Sequence, residues 1–266
     1  MKIGINITTY NRKRFTEECL KSIIWSKPLH TKIVIVDNAS TDGTIEVLKK
    51  FHKDYPDLIE KVIFNDKNYH LGYAWTQGWS YLKESCDILC SINNDFLLDP
   101  GWEENALACF SELDLDYIVG TVRPDRENQK KKTPSGIGQY TSINDVGAGY
   151  FVLTKHFVEN NFSLSLKPFS EKYAGPGSGF HKSMQKNKLK GIRLAHPGVL
   201  VRDSEYNHPN YIDYYNKTFG ERSIQGKLEK WRKQEKKIGK RVRGVINWKE
   251  FIFKYYPEKA KEELKI

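Results

Sequence analysis

The chain has 266 residues, room for one sizeable α/β domain with a C-terminal elaboration. Its apolar share of 39%, with 13% aromatic residues, supports a packed core and excludes a wholly disordered chain. With 29% charged residues and a net charge of +10, the surface favours anionic partners such as nucleotide diphosphates, nucleic acid or acidic headgroups, although solubility alone accounts for such an excess as well.

The N-terminal MKIGINITTYNRKRF turns polar too early for a secretory signal. No apolar run approaches the roughly 20 residues that span a bilayer, so a cytoplasmic protein is expected. Lys2 to Thr8 reads as a short buried strand, and from Phe15 a helix follows with Leu20, Ile23 and Ile24 on one face. Ile33 to Val36 is a continuous β-branched run, the pattern of a strand covered on both faces. After the turn Asp37 to Ser40, Thr41 or Asp42 is placed to cap a helix running through Phe51. A third strand, Lys61 to Phe64, runs into the loop NDKNYHLGYA, and the next helix carries Ala74 to Lys83. A fourth strand, Asp87 to Ile92, ends at Asn93-Asn94-Asp95.

This alternation predicts a mostly parallel sheet with helices on both faces. In such sheets ligands collect beyond the carboxyl ends of the strands. The polar segments Thr8–Arg12, Asp37–Ser40, Asp66–His70 and Asn93–Asp95 all stand at those ends.

The middle of the chain is less regular. RPDRENQKKKTPSG reads as an exposed basic loop, and NDVGAGYFVL leads into another apolar strand. The Gly-rich YAGPGSGF, a short helix around His181 to Lys188 and a strand from Gly198 to Val201 follow. The four cysteines, Cys19, Cys86, Cys90 and Cys109, have no C-x₂-C pair or histidine cluster, so reduced buried thiols are expected.

Two acidic positions stand out. Asp37 directly follows a hydrophobic strand, where a carboxylate can accept a hydrogen bond from a base N–H; a turn or capping aspartate is the plainer alternative. Asp95 follows another strand, where one carboxylate with substrate oxygens and waters suffices for Mg²⁺ or Mn²⁺; an Asx-turn closing the strand is its plainer alternative.

INITTYNRKRF, IVIVDNASTDGT, NYHLGYAWTQG and INNDFLLDPGW, in that order, resemble the motif series of family-2 glycosyltransferases with the GT-A fold. The likeness covers about the first 110 residues and fades towards about residue 205. It implies a GT-A domain over residues 1–221, with a nucleotide-sugar-binding half (1–110) and an acceptor-binding half (111–221), plus a basic helical extension over 222–266.

The resemblance also implies roles. Thr8, Tyr10 and Arg12 match the first-strand loop at the nucleotide, Asp37 the base-reading aspartate, and Asn38 and Ser40 its turn. Asn68 to Gly72 match the element near base and ribose, and Asn93, Asn94 and Asp95 the Asp-x-Asp motif. Its first position is asparagine here, leaving Asp95 as the motif's carboxylate for Mn²⁺ or Mg²⁺. The family's Glu-Asp pair is absent from FSEKYAGPGSGFHKSM, so Glu171, His181 and Asp145 are the candidates for the catalytic base. Asp203 stands where the family often has a metal-ligating histidine, which makes it the second metal candidate, with an ordinary loop residue as the plainer alternative. The implied reaction is metal-assisted, inverting transfer from a nucleotide sugar, UDP-linked by expectation, to a hydroxyl of a glycan, lipid-linked glycan or nucleic acid.

Between Arg222 and Arg243 ten basic residues face Glu229 and Glu235, with Trp231, Ile238 and Val242 interleaved. An amphipathic helical pair packed on the domain with a solvated basic face is the plainest reading. Peripheral contact with an anionic membrane or with nucleic-acid phosphates is the alternative. Two further alternatives for function are transfer to a modified base in DNA, and a catalytically inactive relative that only binds nucleic acid or membrane.

Overall fold

The period-two pattern of the first strand decides where its neighbours pack. In β1 (Ile3–Thr9) the isoleucines at positions 3, 5 and 7 point to one face and Gly4, Asn6 and Thr8 to the other, and all seven residues are buried. The computed structural model describes residues 1–120, 129–142, 152–154, 188–202 and 245–265. The isoleucine face is covered by α1 (Lys13–Trp25), α2 (Thr44–Asp54) and α4 (Trp102–Glu112), through Leu20, Ile23, Leu48, Phe51, Trp102 and Phe110. The opposite face receives α3 (His70–Leu82), whose Ala74, Trp79 and Leu82 pack with Val34, Val36 and Leu89. Each fully buried Ile or Leu contributes roughly 1.5–3 kcal/mol.

The remaining strands are β2 (Thr31–Asp37), β3 (Ile59–Phe64), β4 (Ile88–Asn93), β5 (Phe96–Leu98), β6 (Tyr117–Val119), β7 (Lys131–Lys132), β8 (Gln139–Ser142), β9 (Val152–Thr154), β10 (Gly191–Leu194), β11 (Val199–Arg202) and β12 (Val245–Ile246). Among the described residues, one sheet has the order β3-β2-β1-β4-β9-β6-β10-β8-β7 and a second has the order β12-β11-β5. From β3 to β4 every pairing is parallel. Beyond β4 the sheet becomes mixed: β9 runs antiparallel to both β4 and β6, while β6 and β10 are parallel. Among the described residues, the chain between β6 and β9 carries the antiparallel β7–β8 hairpin. The mostly parallel sheet expected from the alternation is therefore parallel in its N-terminal half and mixed beyond it.

Other expectations shift by a few residues. The first helix begins at Lys13, two residues before Phe15. The N-cap of α2 is Gly43 with φ of 88°, a left-handed geometry that favours glycine, not Thr41 or Asp42. Asp42 still serves that helix end, accepting from the Thr44 N–H at 3.1 Å and its hydroxyl at 2.6 Å. Helix α3 starts at His70, four residues before Ala74, which places Gly72 inside the helix. Lys131 and Lys132 of the expected basic loop are exposed and paired with β8.

The C-terminal segment packs on the domain. After β12, α5 (Trp248–Tyr255) opens with a capping box between Asn247 and Glu250, and a 3₁₀ turn (Pro257–Lys259) leads into α6 (Ala260–Leu264). Trp248 stacks on Trp25 at 5.4 Å, and Phe251, Ile252 and Tyr256 join Leu97 in a third apolar cluster. Residues 222–244, the most basic stretch, lie outside the described residues. Among the described residues no helix is long and apolar enough to cross a membrane.

All four cysteines are free and buried. Burial pushes the Cys19 and Cys90 thiols well up, and the Cys109 thiol to about 12, so the reactive thiolate is scarce near neutral pH. The folded protein is expected to leave all four thiols unreacted towards a water-soluble aromatic disulfide reagent at mildly alkaline pH, and to release four equivalents once denatured. Rapid native-state reaction of even one thiol would contradict the packing described.

Candidate functional site

The parallel register brings the polar strand ends together. Thr9 lies beside Asp37 of β2, and Thr8 beside Asn93 of β4, so the carboxyl end of β1 is flanked by both sequence-predicted clusters. Asp66–His70 joins them from the end of β3, the next strand outward.

Asp37 is 0% exposed. Its carboxylate accepts the Thr9 hydroxyl at 2.8 Å, the Ser40 N–H at 2.9 Å and the Ser40 hydroxyl. Hydrogen bonds to a charged group contribute about 1.5–3 kcal/mol each, which holds the anion inside the turn it organises. Ser40 also accepts the Asn11 N–H at 2.7 Å, and Asn11 Oδ1 accepts the Thr41 N–H at 2.8 Å, locking the β1 and β2 loops to each other. Asn11, Arg12, Ala39 and His70 all have left-handed backbone, with φ between 56° and 66°. For residues other than glycine this costs about 1–3 kcal/mol apiece and persists only where surroundings impose it. The concentration at these strand ends marks them as built for something besides stability.

The second cluster divides its labour. Asn94 is buried and donates to the Thr16 hydroxyl of α1 at 2.9 Å, anchoring the β4–β5 turn. Asp95 is partly exposed and faces Arg12, whose Nη1 lies 3.5 Å from its carboxylate while the guanidinium sits 4.3 Å over the Phe15 ring. The Asn93 amide oxygen and the Thr8 hydroxyl are buried and without a hydrogen-bond partner among the described residues. Two facing strand ends thus each hold a buried polar atom that makes no hydrogen bond among the described residues.

The other predicted residues are placed as follows. Tyr10 is half-buried beyond β1. Asn38 is 2% exposed, and its N–H donates to the Thr9 carbonyl at 2.9 Å. Asn68 accepts the His70 N–H at 2.8 Å, an Asx-type turn into α3. Gly72 is buried in that helix and its carbonyl accepts the Thr76 hydroxyl. Asp145, Glu171, His181 and Asp203 lie outside the described residues. Thr9 and Asn11, inside the Thr8–Arg12 segment but given no role of their own by the sequence, and Asn65 and Gln77, outside the polar segments, complete the network. The density of Thr and Asn at strand ends was the available signal for the first three; Gln77, in mid-helix, gives none.

Among the described residues no group of three or more histidine, cysteine or acidic side chains converges to hold a metal. The donors that are present, the Asp95 carboxylate and the unpartnered Asn93 amide oxygen, are oxygen atoms of the kind Mg²⁺ and Mn²⁺ accept, and substrate and water would have to fill the remaining positions. The Arg12–Asp95 pair is long and partly exposed, worth at most about 1 kcal/mol, so a divalent cation can displace it.

Comparisons with known proteins agree on the family. The dTDP-rhamnosyl transferase RfbG of Shigella flexneri is 31% identical over 107 residues, covering 39% of this chain and 36% of that protein. The putative glycosyltransferase EpsE of Bacillus subtilis is 28% identical over 120 residues, covering 45% of this chain and 42% of that protein. The matches thus span about two fifths of those curated relatives. In fold, the chain is similar to TarS of S. aureus in complex with UDP (TM-score 0.58, 13% identity, 82% of this chain and 65% of that one). It is likewise similar to the mannosyltransferase PcManGT of Pyrobaculum calidifontis in complex with GDP-Man and Mn²⁺ (TM-score 0.55, 18% identity, 74% and 55%). The sequence model described as glycosyl transferase family 2 matches residues 5–170, more than half of the 266, and the chain therefore belongs to glycosyl transferase family 2.

Proposed function

We propose that the chain transfers a glycosyl group from a nucleoside diphosphate sugar, UDP-linked as the first candidate, to an acceptor hydroxyl, with inversion at the anomeric carbon. The observation that carries this reading is the convergence of Asp37 and the Arg12–Asp95 pair on either side of one strand end, where left-handed backbone is concentrated. The turn that buried Asp37 organises is the side we assign to the base, and the strand ends at Thr8 and Asn93, with Arg12, the side we assign to the ribose and diphosphate. Asp95, with the Asn93 amide oxygen, would hold Mn²⁺ or Mg²⁺. When bound, that cation neutralises charge developing on the leaving diphosphate. The acceptor oxygen forms a bond to the anomeric carbon as the bond to the diphosphate oxygen breaks. The hydroxyl proton passes to one of Asp145, Glu171 or His181. Arg12 remains as a protein-borne positive charge when Asp95 turns to a cation.

The test is donor hydrolysis across a panel of UDP-, GDP- and dTDP-sugars, with and without Mn²⁺, read by release of the nucleoside diphosphate. Metal-stimulated turnover of at least one donor is expected. Absence of both turnover and binding across the panel would leave a chain that kept the fold without the reaction.

A further inference from the structure

Asn65 is the first residue beyond β3, and its side chain bonds in two directions. Its Nδ2 donates to Gln77 Oε1 at 2.9 Å, and Gln77 Nε2 returns a bond to Asn65 Oδ1 at 2.9 Å, closing a reciprocal amide pair between the end of a strand and the middle of α3. The same Nδ2 donates to Asn38 Oδ1 at 2.9 Å, leaving the Asn38 Nδ2 to face the His70 carbonyl at 3.4 Å. The Asn65 N–H donates to the Asp37 carbonyl at 2.9 Å. One residue thereby ties together Asp37, Asn38 and α3, and through Asn38 the strained His70 at the mouth of the loop.

The chemistry of the pair is specific. The Asn65 backbone bonds the carbonyl of Asp37, a residue whose carboxylate is itself buried. A carboxylate at position 65 or 77 would place a second negative charge near it and lose a donor; neutral amides supply both donor and acceptor without charge. Two parallel hydrogen bonds also fix orientation as well as distance, which a single bond does not.

We propose that the Asn65–Gln77 amide pair is a positioning element for the base of the bound nucleotide, acting through Asn38 and Asp37 and not on the diphosphate. This rests on the nucleotide-sugar reading. Gln77→Glu replaces the amide donor with an acceptor opposite Asn65 Oδ1 at almost unchanged volume, and Gln77→Leu removes the pair without adding charge. Titration calorimetry with Mn²⁺ measures UDP, GDP, dTDP and inorganic pyrophosphate against the wild type and both variants. Both variants are expected to weaken the nucleotide that the wild type prefers at least tenfold, leaving pyrophosphate within twofold. Equal weakening of nucleotide and pyrophosphate, or nucleotide binding that both variants retain, would overturn the inference alone. A wild type that binds none of the three nucleotides would overturn the nucleotide reading and this inference with it.

Discussion

Asp95→Ala is expected to lower turnover of the preferred donor by about 1,000-fold or more, with melting temperature almost unchanged. The separation of these two effects follows from the geometry. Asp95 is partly exposed, and its Arg12 partner stands 3.5 Å away, so its loss costs the fold no more than about 1 kcal/mol. In the proposed reaction the same carboxylate would be the one acidic ligand that Asn93-Asn94-Asp95 offers a cation at a leaving diphosphate. Losing that stabilisation removes several kcal/mol, and about 4 kcal/mol corresponds to the stated factor. Asp95→Asn discriminates further, because it keeps an oxygen that can accept from Arg12 but loses the charge. It should behave like the alanine variant in turnover, and both should lose the stimulation by Mn²⁺ that a chelator removes from the wild type. Either variant retaining more than about a tenth of the activity would place the cation, or its need, elsewhere.

What could be read from the sequence was what local pattern encodes. The β-branched run Ile33–Val36 announced a strand covered on both faces, and all four residues are fully buried. The strand-end polar clusters were equally legible, because a run of Asn, Asp and Thr after an apolar strand has few other places to go. Three features were not legible, each for a physical reason. The start of α3 at His70 depends on a left-handed residue stabilised by Asn68, which no propensity scale rewards. The antiparallel insertion of β9 between β4 and β6 is decided by long-range pairing across some sixty residues of chain. The inward turn of Asn94 towards Thr16, beside an outward-facing Asp95, is set by the approach of α1, so adjacent polar residues with the same sequence signature take different roles. Asn65 and Gln77 belong to the same category, since their partnership exists only once α3 is docked on β1 and β2, beside the residue that follows β3.

Gly78→Ala is expected to destabilise the protein by about 3 kcal/mol, against the direction that helix propensity alone gives. In a solvent-exposed helix interior the change would stabilise by about 1 kcal/mol. Here a Cβ would sit well inside 3.0 Å of the Asn6 side-chain amide. Asn6 is fully buried on the α3-facing side of β1, where its Nδ2 donates to the carbonyls of Ala74 and Trp75 at 2.9 and 3.2 Å. It cannot swing away, because any other rotation leaves those donors unpaired in the core at about 1–3 kcal/mol, on top of about 1–3 kcal/mol for overpacking. The glycine is therefore the condition for a polar tether between the helix that opens at His70 and the strand that ends at Thr8 and Thr9. The combination Asn6→Ala with Gly78→Ala lets the new methyl occupy space the amide gives up. It should be more stable than Gly78→Ala alone, with a coupling of about 2 kcal/mol in denaturant unfolding. Simple additivity of the two changes would mean that the close approach of α3 to β1 is not what position 78 enforces. Because the tether sets the height of α3 above the strand ends, Gly78→Ala should also weaken nucleotide binding under conditions where it remains folded, and the double variant should recover part of that loss.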